Sequence, residues 1–193
     1  MTWRSSPVPE ILLGQAQACA AVMAQAASFF RNPTAANALV VRDAGVQARR
    51  CAEAALAGLK LESDPRRRDW LELSRRLAEA ASDAAAAAAE GHRFSVSGAP
   101  ALVGMSAALR DAARELAAAL AGGCRGAECE GLLVSAKQRA SEVERVHRSE
   151  RAAALDDPNV VQELKLRTVL GRLSRAAEAC QQTADRIAEI LEG

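Results

Sequence analysis

The chain has 193 residues, half of them hydrophobic and a quarter charged, which suits one globular unit or two small ones. Its net charge of +1 provides no overall field that would recruit nucleic acid or an anionic membrane. Aromatic residues make up 3%, tyrosine is absent and alanine is abundant, and this composition favours helices over strands.

The first predicted helix runs from about Pro9 to Phe30. The residues before it lack a basic region followed by an apolar core, so we expect no signal peptide. The longest apolar stretch, 18–30, is too short to span a bilayer. The five cysteines are odd in number and no secretion signal precedes them, so the sequence predicts a cytoplasmic protein without membrane insertion.

Proline after a capping residue marks the next two helix starts. Asn32-Pro33 indicates a cap and a first helical residue for a helix over 33–61. Asp64-Pro65 repeats that signal and opens a third helix, which ends near residue 90.

A glycine- and serine-containing segment, 92–99, interrupts the helical pattern near the middle of the chain. Three further helices follow, over about 100–121, 128–155 and 158–191. The sequence therefore predicts a three-helix unit over 1–91, a linker over 92–99 and a second three-helix unit over 100–193, packed together as one domain.

The last helix has the clearest pattern. Asp157 is suited to cap it and Pro158 to begin it. Apolar residues then recur at alternating steps of four and three, which predicts one narrow seam against other helices. The seam consists of Leu166, Leu170, Leu173, Ala177, Cys180, Ala184, Ile187 and Leu191.

Few residues have the spacing of a chemical site. The Glu-x-x-His of Glu144 and His147 is one ligand pair of the di-iron type, but His92 is the only other histidine and lies in the linker. Cys124 and Cys129 are expected in a flexible turn, and two thiolates alone do not fill a zinc shell. Without a nucleophile, phosphate-loop or dinucleotide motif, we expect no enzyme.

Carboxylates form a second set of candidates. Glu79 and Asp83 are four residues apart, so they lie on one helix face and repel each other unless a cation lies between them. A metal ion is one such cation and a nearby arginine is the other. The candidate metal ligands are Asp43, Glu79, Asp83, Glu144 and Glu178.

Several segments resemble the PhoU-like family, of the Pit accessory protein type. In the last helix they are Asp157-Pro158, the leucine-rich stretch 166–173, Glu178-Ala-Cys180 and the end of the chain from residue 184. The stretch 41–90, with a proline-containing turn over 63–70, fits that family's second and third helices. The order of six helices agrees over nearly the whole chain.

The resemblance implies an all-α fold of six long helices in two pseudo-symmetric three-helix bundles. It also implies a regulator or accessory protein of inorganic phosphate uptake through a Pit-type permease, or of phosphate signalling, with a transporter or signalling protein as partner. The family often binds metal at acidic motifs, but here Gln47, Ala140, Gln181 and Gln182 replace acids. A divalent or ferric ion is therefore expected to bind weakly or not at all.

Three hypotheses follow from these patterns. The first is a non-enzymatic phosphate-transport accessory protein that acts through protein contacts, with arginines 66–68 or Arg172 and Arg175 facing the partner. The second is a metal-binding helical bundle that uses the five carboxylates. The third is a DNA-associated regulator that uses residues 66–68, although it lacks the basic face of such proteins, and we expect no nucleic acid partner. Apolar flanks on alanine-rich helices favour a homodimer.

Overall fold

The computed structural model describes residues 8–61, 65–122, 126–153 and 160–192. These ranges contain helices and turns but no strand. The six helices are α1 (Val8–Arg31), α2 (Ala35–Leu61), α3 (Arg67–Phe94), α4 (Pro100–Ala121), α5 (Gly126–Ala153) and α6 (Val160–Glu192).

The two halves of the chain have the same pattern of helix contacts. Helices α1, α2 and α3 contact one another, and so do α4, α5 and α6. Between the halves, α3 packs against α6 and α1 packs against α4. This arrangement confirms the predicted all-α fold of two related three-helix bundles. The division into units 1–91 and 100–193 stays a prediction, since contacts between the halves are as prominent as those within them.

Small side chains let the helices approach closely. A Cβ atom added at Gly45 of α2 would lie 3.1 Å from the Cβ of Ala85 on α3, which is tighter than ordinary packing. Alanines dominate the buried surface of α3, including Ala80, Ala84 and Ala87. Where glycine and alanine meet, as between α2 and α3, packing therefore depends on a short distance between the helix axes.

Helix α6 is buried more widely than its sequence seam predicts. The seam residues from Leu170 to Ile187 are all buried, and Leu166 is partly buried, while the side chain of Leu191 lies outside the described part. A second stripe beside the seam is buried as well, because α6 contacts α3, α4 and α5 together. That stripe consists of Val169, Ala176, Ala179, Thr183 and Ile190.

The predicted start of the second helix is wrong by two residues. Helix α2 begins at Ala35 rather than at Pro33. Its cap is Thr34, whose hydroxyl accepts a hydrogen bond from the Asn37 amide at 3.1 Å. The Asn37 side chain donates to the Asn32 carbonyl at 2.8 Å, so Asn32-Pro33 forms the turn that leads into the cap.

The third helix also begins two residues late, at Arg67 instead of Pro65. Arg66 is in the N-cap position and makes no side-chain capping bond. Its guanidinium instead donates to the carbonyl of Ile190 in α6 at 2.6 Å, which joins the start of α3 to the end of α6. The predicted caps Asp64 and Asp157, and Pro158, lie outside the described residues.

The connection between α3 and α4 is shorter than the predicted linker over 92–99. Helix α3 continues to Phe94 and ends in Ser95, whose φ of 56° lies in the left-handed region. The Ser95 and Val96 amides donate to the His92 and Gly91 carbonyls at 3.2 and 3.1 Å, which is a Schellman ending. Val96 is buried, so this connection is part of the core.

Among the described residues, one helix is long and apolar enough to cross a membrane by length and composition. It is α1 from Glu10 to Arg31, with a mean hydropathy of 1.2. In this fold α1 packs against α2, α3 and α4, and large side chains such as Leu12, Met23 and Phe30 are fully buried. Its apolar surface is used in the core.

A buried polar pair fixes the position of α1 against α3. The Gln15 amide donates to the Ser74 carbonyl at 2.6 Å, and the Ser74 hydroxyl donates to Gln15 Oε1 at 2.7 Å. Both side chains are buried, so any other placement would leave polar atoms without partners. The pair therefore specifies the relative shift of two alanine-rich helices that could otherwise slide.

We predict that Ser74→Ala destabilises the protein by about 1–3 kcal/mol, because it leaves the buried Gln15 oxygen without its hydroxyl donor. Ser82→Ala is the matched control on the exposed face of the same helix and should change stability by less than about 0.5 kcal/mol. Urea unfolding followed by circular dichroism measures both. Equal stability of the two variants would contradict the role of the pair.

Candidate functional site

A charged network joins α3 to α6. The Arg172 guanidinium donates to Asp83 at 2.9 Å and to Glu90 at 3.1 Å. Arg175, one turn further along α6, donates to the same Asp83 at 3.2 Å. The hydrogen bonds to Asp83 and Glu90 raise the pKa of Arg172 above its ordinary value. Arg172 and Arg175, which the sequence offered as partner-facing charges, are therefore engaged within the bundle.

The five predicted metal ligands each have a partner from the protein itself. Asp43 is exposed on α2 and pairs with Arg42 at 3.0 Å. Glu79 accepts from Arg76 at 2.9 Å, and Asp83 belongs to the network with Arg172. Two further partners come from α6, where Ser174 donates to Glu144 at 2.6 Å and Gln182 donates to Glu178 at 3.1 Å.

These carboxylates do not form one site. In the described part of the chain, no group of three histidine, cysteine, aspartate or glutamate side chains is close enough to hold a metal ion. For Glu79 and Asp83, arginine supplies the neighbouring cations. The buried Ala140, which the resemblance places at a missing acid, faces the core. Among the described residues, the five carboxylates are therefore paired with protein groups rather than gathered around one position.

The Glu-x-x-His pair also lacks further ligands. His147 is half-buried on α5. Burial lowers its pKa, and the opposing effect of the nearby Glu144 is smaller. A neutral imidazole is able to ligate a metal, but Glu144 is occupied by the Ser174 hydroxyl. Glu144 therefore belongs to the α5–α6 contact.

Three cysteines in the described ranges, Cys19, Cys129 and Cys180, are buried, and Cys51 is partly exposed. Burial raises the pKa of the Cys19 thiol to about 12 and that of Cys180 well above its ordinary range. Such thiols stay protonated and are poor nucleophiles and metal ligands. Cys129 was expected in a turn but is buried within α5, and Cys124 lies outside the described residues.

Four arginines surround a cleft between the start of α3 and the end of α6. The cleft has a volume of about 620 Å³. Arg67, Arg68 and Arg75 come from α3, and Arg186 comes from α6. We call this feature the arginine cleft. The sequence indicated Arg67 and Arg68, but not Arg186, which lies more than a hundred positions away.

Two carboxylates also line the arginine cleft, and both have cation partners. Asp69 is 3.5 Å from Arg186, and Glu72 is 2.8 Å from Arg76, which lies outside the lining. In the described part of the chain no carboxylate lies within 4.0 Å of the Arg67 or Arg68 guanidinium; Arg67 donates only to the Lys60 carbonyl, at 3.3 Å. The cleft therefore has an excess of positive charge.

A groove between α2 and α3 has a different character. It has a volume of about 580 Å³, and alanine is the most frequent residue of its lining, which also includes Gln15, Cys19, Arg42 and Glu79. Val46 lines it and is 45% exposed, and Leu39 is 50% exposed two turns earlier on the same face of α2. Large exposed apolar side chains beside a groove are typical of a surface that contacts another protein.

Neither a protein family model nor a curated protein sequence matches the chain. The crystal structure of PhoU from Pseudomonas aeruginosa does match in three dimensions, with a TM-score of 0.74 over 96% of each chain and a sequence identity of 16%. The chain has a PhoU-like fold. At this identity the likeness establishes the architecture of the PhoU-like bundle, and the activity needs its own evidence.

The α3–α6 network of this PhoU-like bundle predicts a stability effect. Arg172→Met should lower the free energy of unfolding by about 1–2 kcal/mol, because Glu90 then loses its cation. This loss lies between those typical of exposed and of buried ion pairs. Arg42→Met removes a pair whose side chains are both about two-thirds exposed, and it should have almost no effect. Urea unfolding compares them; equal effects would show that the network adds no stability.

The pairing of the five carboxylates predicts that the PhoU-like bundle does not need a metal. Elemental analysis of the native protein should find less than one equivalent of iron, zinc, calcium or magnesium. Addition of EDTA should leave the midpoint of thermal unfolding unchanged. A stoichiometric metal that is lost in Asp83→Asn would contradict this expectation and restore the metal-binding hypothesis.

Proposed function

We propose that the protein is a non-enzymatic, cytoplasmic accessory or regulator of inorganic phosphate transport. The observation that carries the proposal is the likeness of nearly the whole chain to a solved PhoU structure. The last-helix and third-helix segments that resemble Pit accessory proteins point to a Pit-type permease as the partner. A phosphate-signalling protein is the alternative partner.

Protein contact is the mode of action that the geometry supports best. Arg172 joins α6 to Asp83 and Glu90 of α3, and Cys19, Cys129 and Cys180 are buried. The face of α2 formed by Leu39 and Val46, together with the adjoining groove, is apolar and exposed. We assign this α2 face to the contact with the transporter.

The metal-binding and DNA-associated alternatives receive less support. The five carboxylates are distributed over four helices and have protein partners. The arginine cleft is compact, whereas recognition of a duplex needs an extended basic face. No observation favours the metal-binding or the DNA-associated alternative over the phosphate-transport proposal.

Co-purification tests the partner. The tagged full chain should retain a Pit-type permease from detergent-solubilised membranes of cells that produce both proteins. Leu39→Glu with Val46→Glu places two charges on the α2 face and should abolish retention. Val134→Glu is the control, because Val134 is 55% exposed on α5, the counterpart of α2 in the other bundle.

Deletion of the gene should also change the rate of radiolabelled phosphate uptake, and the wild-type gene should restore it. Retention of a phosphate-signalling kinase instead of the permease would replace the partner and keep the regulatory role. Unchanged uptake together with retention of neither protein would contradict the proposal.

A further inference from the structure

We propose that the arginine cleft binds a compact anion with two or more linked phosphate groups. The sources of such an anion are a free inorganic oligophosphate and the phosphate tail of a nucleotide. The inference concerns a site distinct from the α2 face and does not depend on the transporter as partner.

The charge of the cleft supports this inference. Its lining contains four arginines against Asp69 and Glu72, so the net charge of the lining is +2. Both carboxylates already have arginine partners. Arg67 and Arg68 meet no carboxylate in the described ranges, and both are exposed at the mouth of the cleft. An anion is the group that would complete their hydrogen bonding.

The position of these arginines on α3 adds a second argument. Positive side chains in the first turn of a helix oppose the helix dipole, and this arrangement is unfavourable by itself. Arg67 and Arg68 are in that turn, and Asp69 offsets only one of the two charges. A bound anion near them would reverse the sign of the interaction.

The size and chemistry of the cleft favour several phosphates over one. A volume of about 620 Å³ is in the usual range for small-molecule pockets. Guanidinium groups bind phosphate oxygens in a bidentate manner, and linked phosphates carry more negative charge and more oxygens than one phosphate to pair with four such groups. Linked phosphates distribute their oxygens along the cleft and match its spread of charge.

The frame of the cleft is fixed before any ligand arrives. Arg66 joins the start of α3 to the Ile190 carbonyl, and Leu71 contributes an apolar part of the lining. In the described ranges only Nη1 of Arg186 contacts a carboxylate, at 2.7 Å from Glu189 and 3.5 Å from Asp69, which leaves its other two guanidinium nitrogens for an anion. Such a preformed site loses little freedom on binding.

Isothermal titration calorimetry at low salt, without divalent cations, tests the proposal with tripolyphosphate as the probe. The wild-type protein should bind it, and Arg68→Gln with Arg75→Gln should weaken binding about tenfold or more, since two charge-assisted contacts are lost. Arg145→Gln with Arg148→Gln removes the same charge from exposed positions on α5 outside the cleft, and it should bind as the wild type does.

Circular dichroism and thermal unfolding should be the same for all three proteins, which separates loss of binding from loss of folding. Orthophosphate should bind at least about tenfold more weakly than tripolyphosphate. If a nucleoside triphosphate binds as tightly as tripolyphosphate, the phosphate tail of a nucleotide is sufficient for binding. If the nucleoside triphosphate binds more weakly, the ligand is the free oligophosphate. Both outcomes support the site.

Three results would overturn the proposal. The first is no detectable binding of tripolyphosphate to the wild-type protein. The second is an equal loss of binding in the α3 and α5 double variants, which indicates attraction by net charge alone. The third is tighter binding of a short polyglutamate peptide than of tripolyphosphate, which would assign the cleft to an acidic protein segment.

Discussion

The packing of α3 against α6 is the interaction on which both charged regions of this protein depend. The contacts pair Arg66 with Ile190, Asp69 with Arg186 and Asp83 with Arg172, so one residue number rises as the other falls. The two helices are therefore antiparallel. Because each comes from a different half of the chain, their contact both joins the halves and decides which charges meet.

The same contact has opposite electrostatic character at its two ends. Near residue 172 the arginines meet Asp83 and Glu90, and the charges are nearly balanced. About 27 Å along the helix, at residue 190, the guanidinium groups outnumber the carboxylates. A net charge of +1 for the whole chain conceals this separation. The balanced end holds the bundle together, which leaves the unbalanced end as the region suited to an anion.

The helical architecture follows from the sequence because its causes are local. Alanine content, apolar periodicity and proline positions indicate six helices in the observed order. The exact starts do not follow, because Thr34 competes with Asn32 as the cap and only the hydroxyl of Thr34 reaches the Asn37 amide. The second buried stripe of α6 was also missed, since it depends on how many neighbours surround the helix.

The candidate sites depended on tertiary contacts, which the sequence pattern does not contain. Spacing places Glu79 and Asp83 on one face, but it cannot decide between a metal ion and an arginine as the neighbouring cation. The structure provides Arg76, Arg172 and Arg175. Each guanidinium also donates in fixed directions, so a carboxylate that accepts from it has fewer oxygens free for a metal.

The arginine cleft also depends on a tertiary contact that the sequence pattern does not contain. A run of three arginines after a proline is usually a solvated helix start, and nothing in the run itself indicates a cavity. Arg186 converts it into one, because the end of α6 lies against the start of α3. The fold that resembles PhoU thus carries, in this chain, a local concentration of guanidinium groups that the architecture alone does not require. The cleft's positive charge comes from four arginine side chains. Replacing them with neutral residues should leave the bundle folded and abolish anion binding.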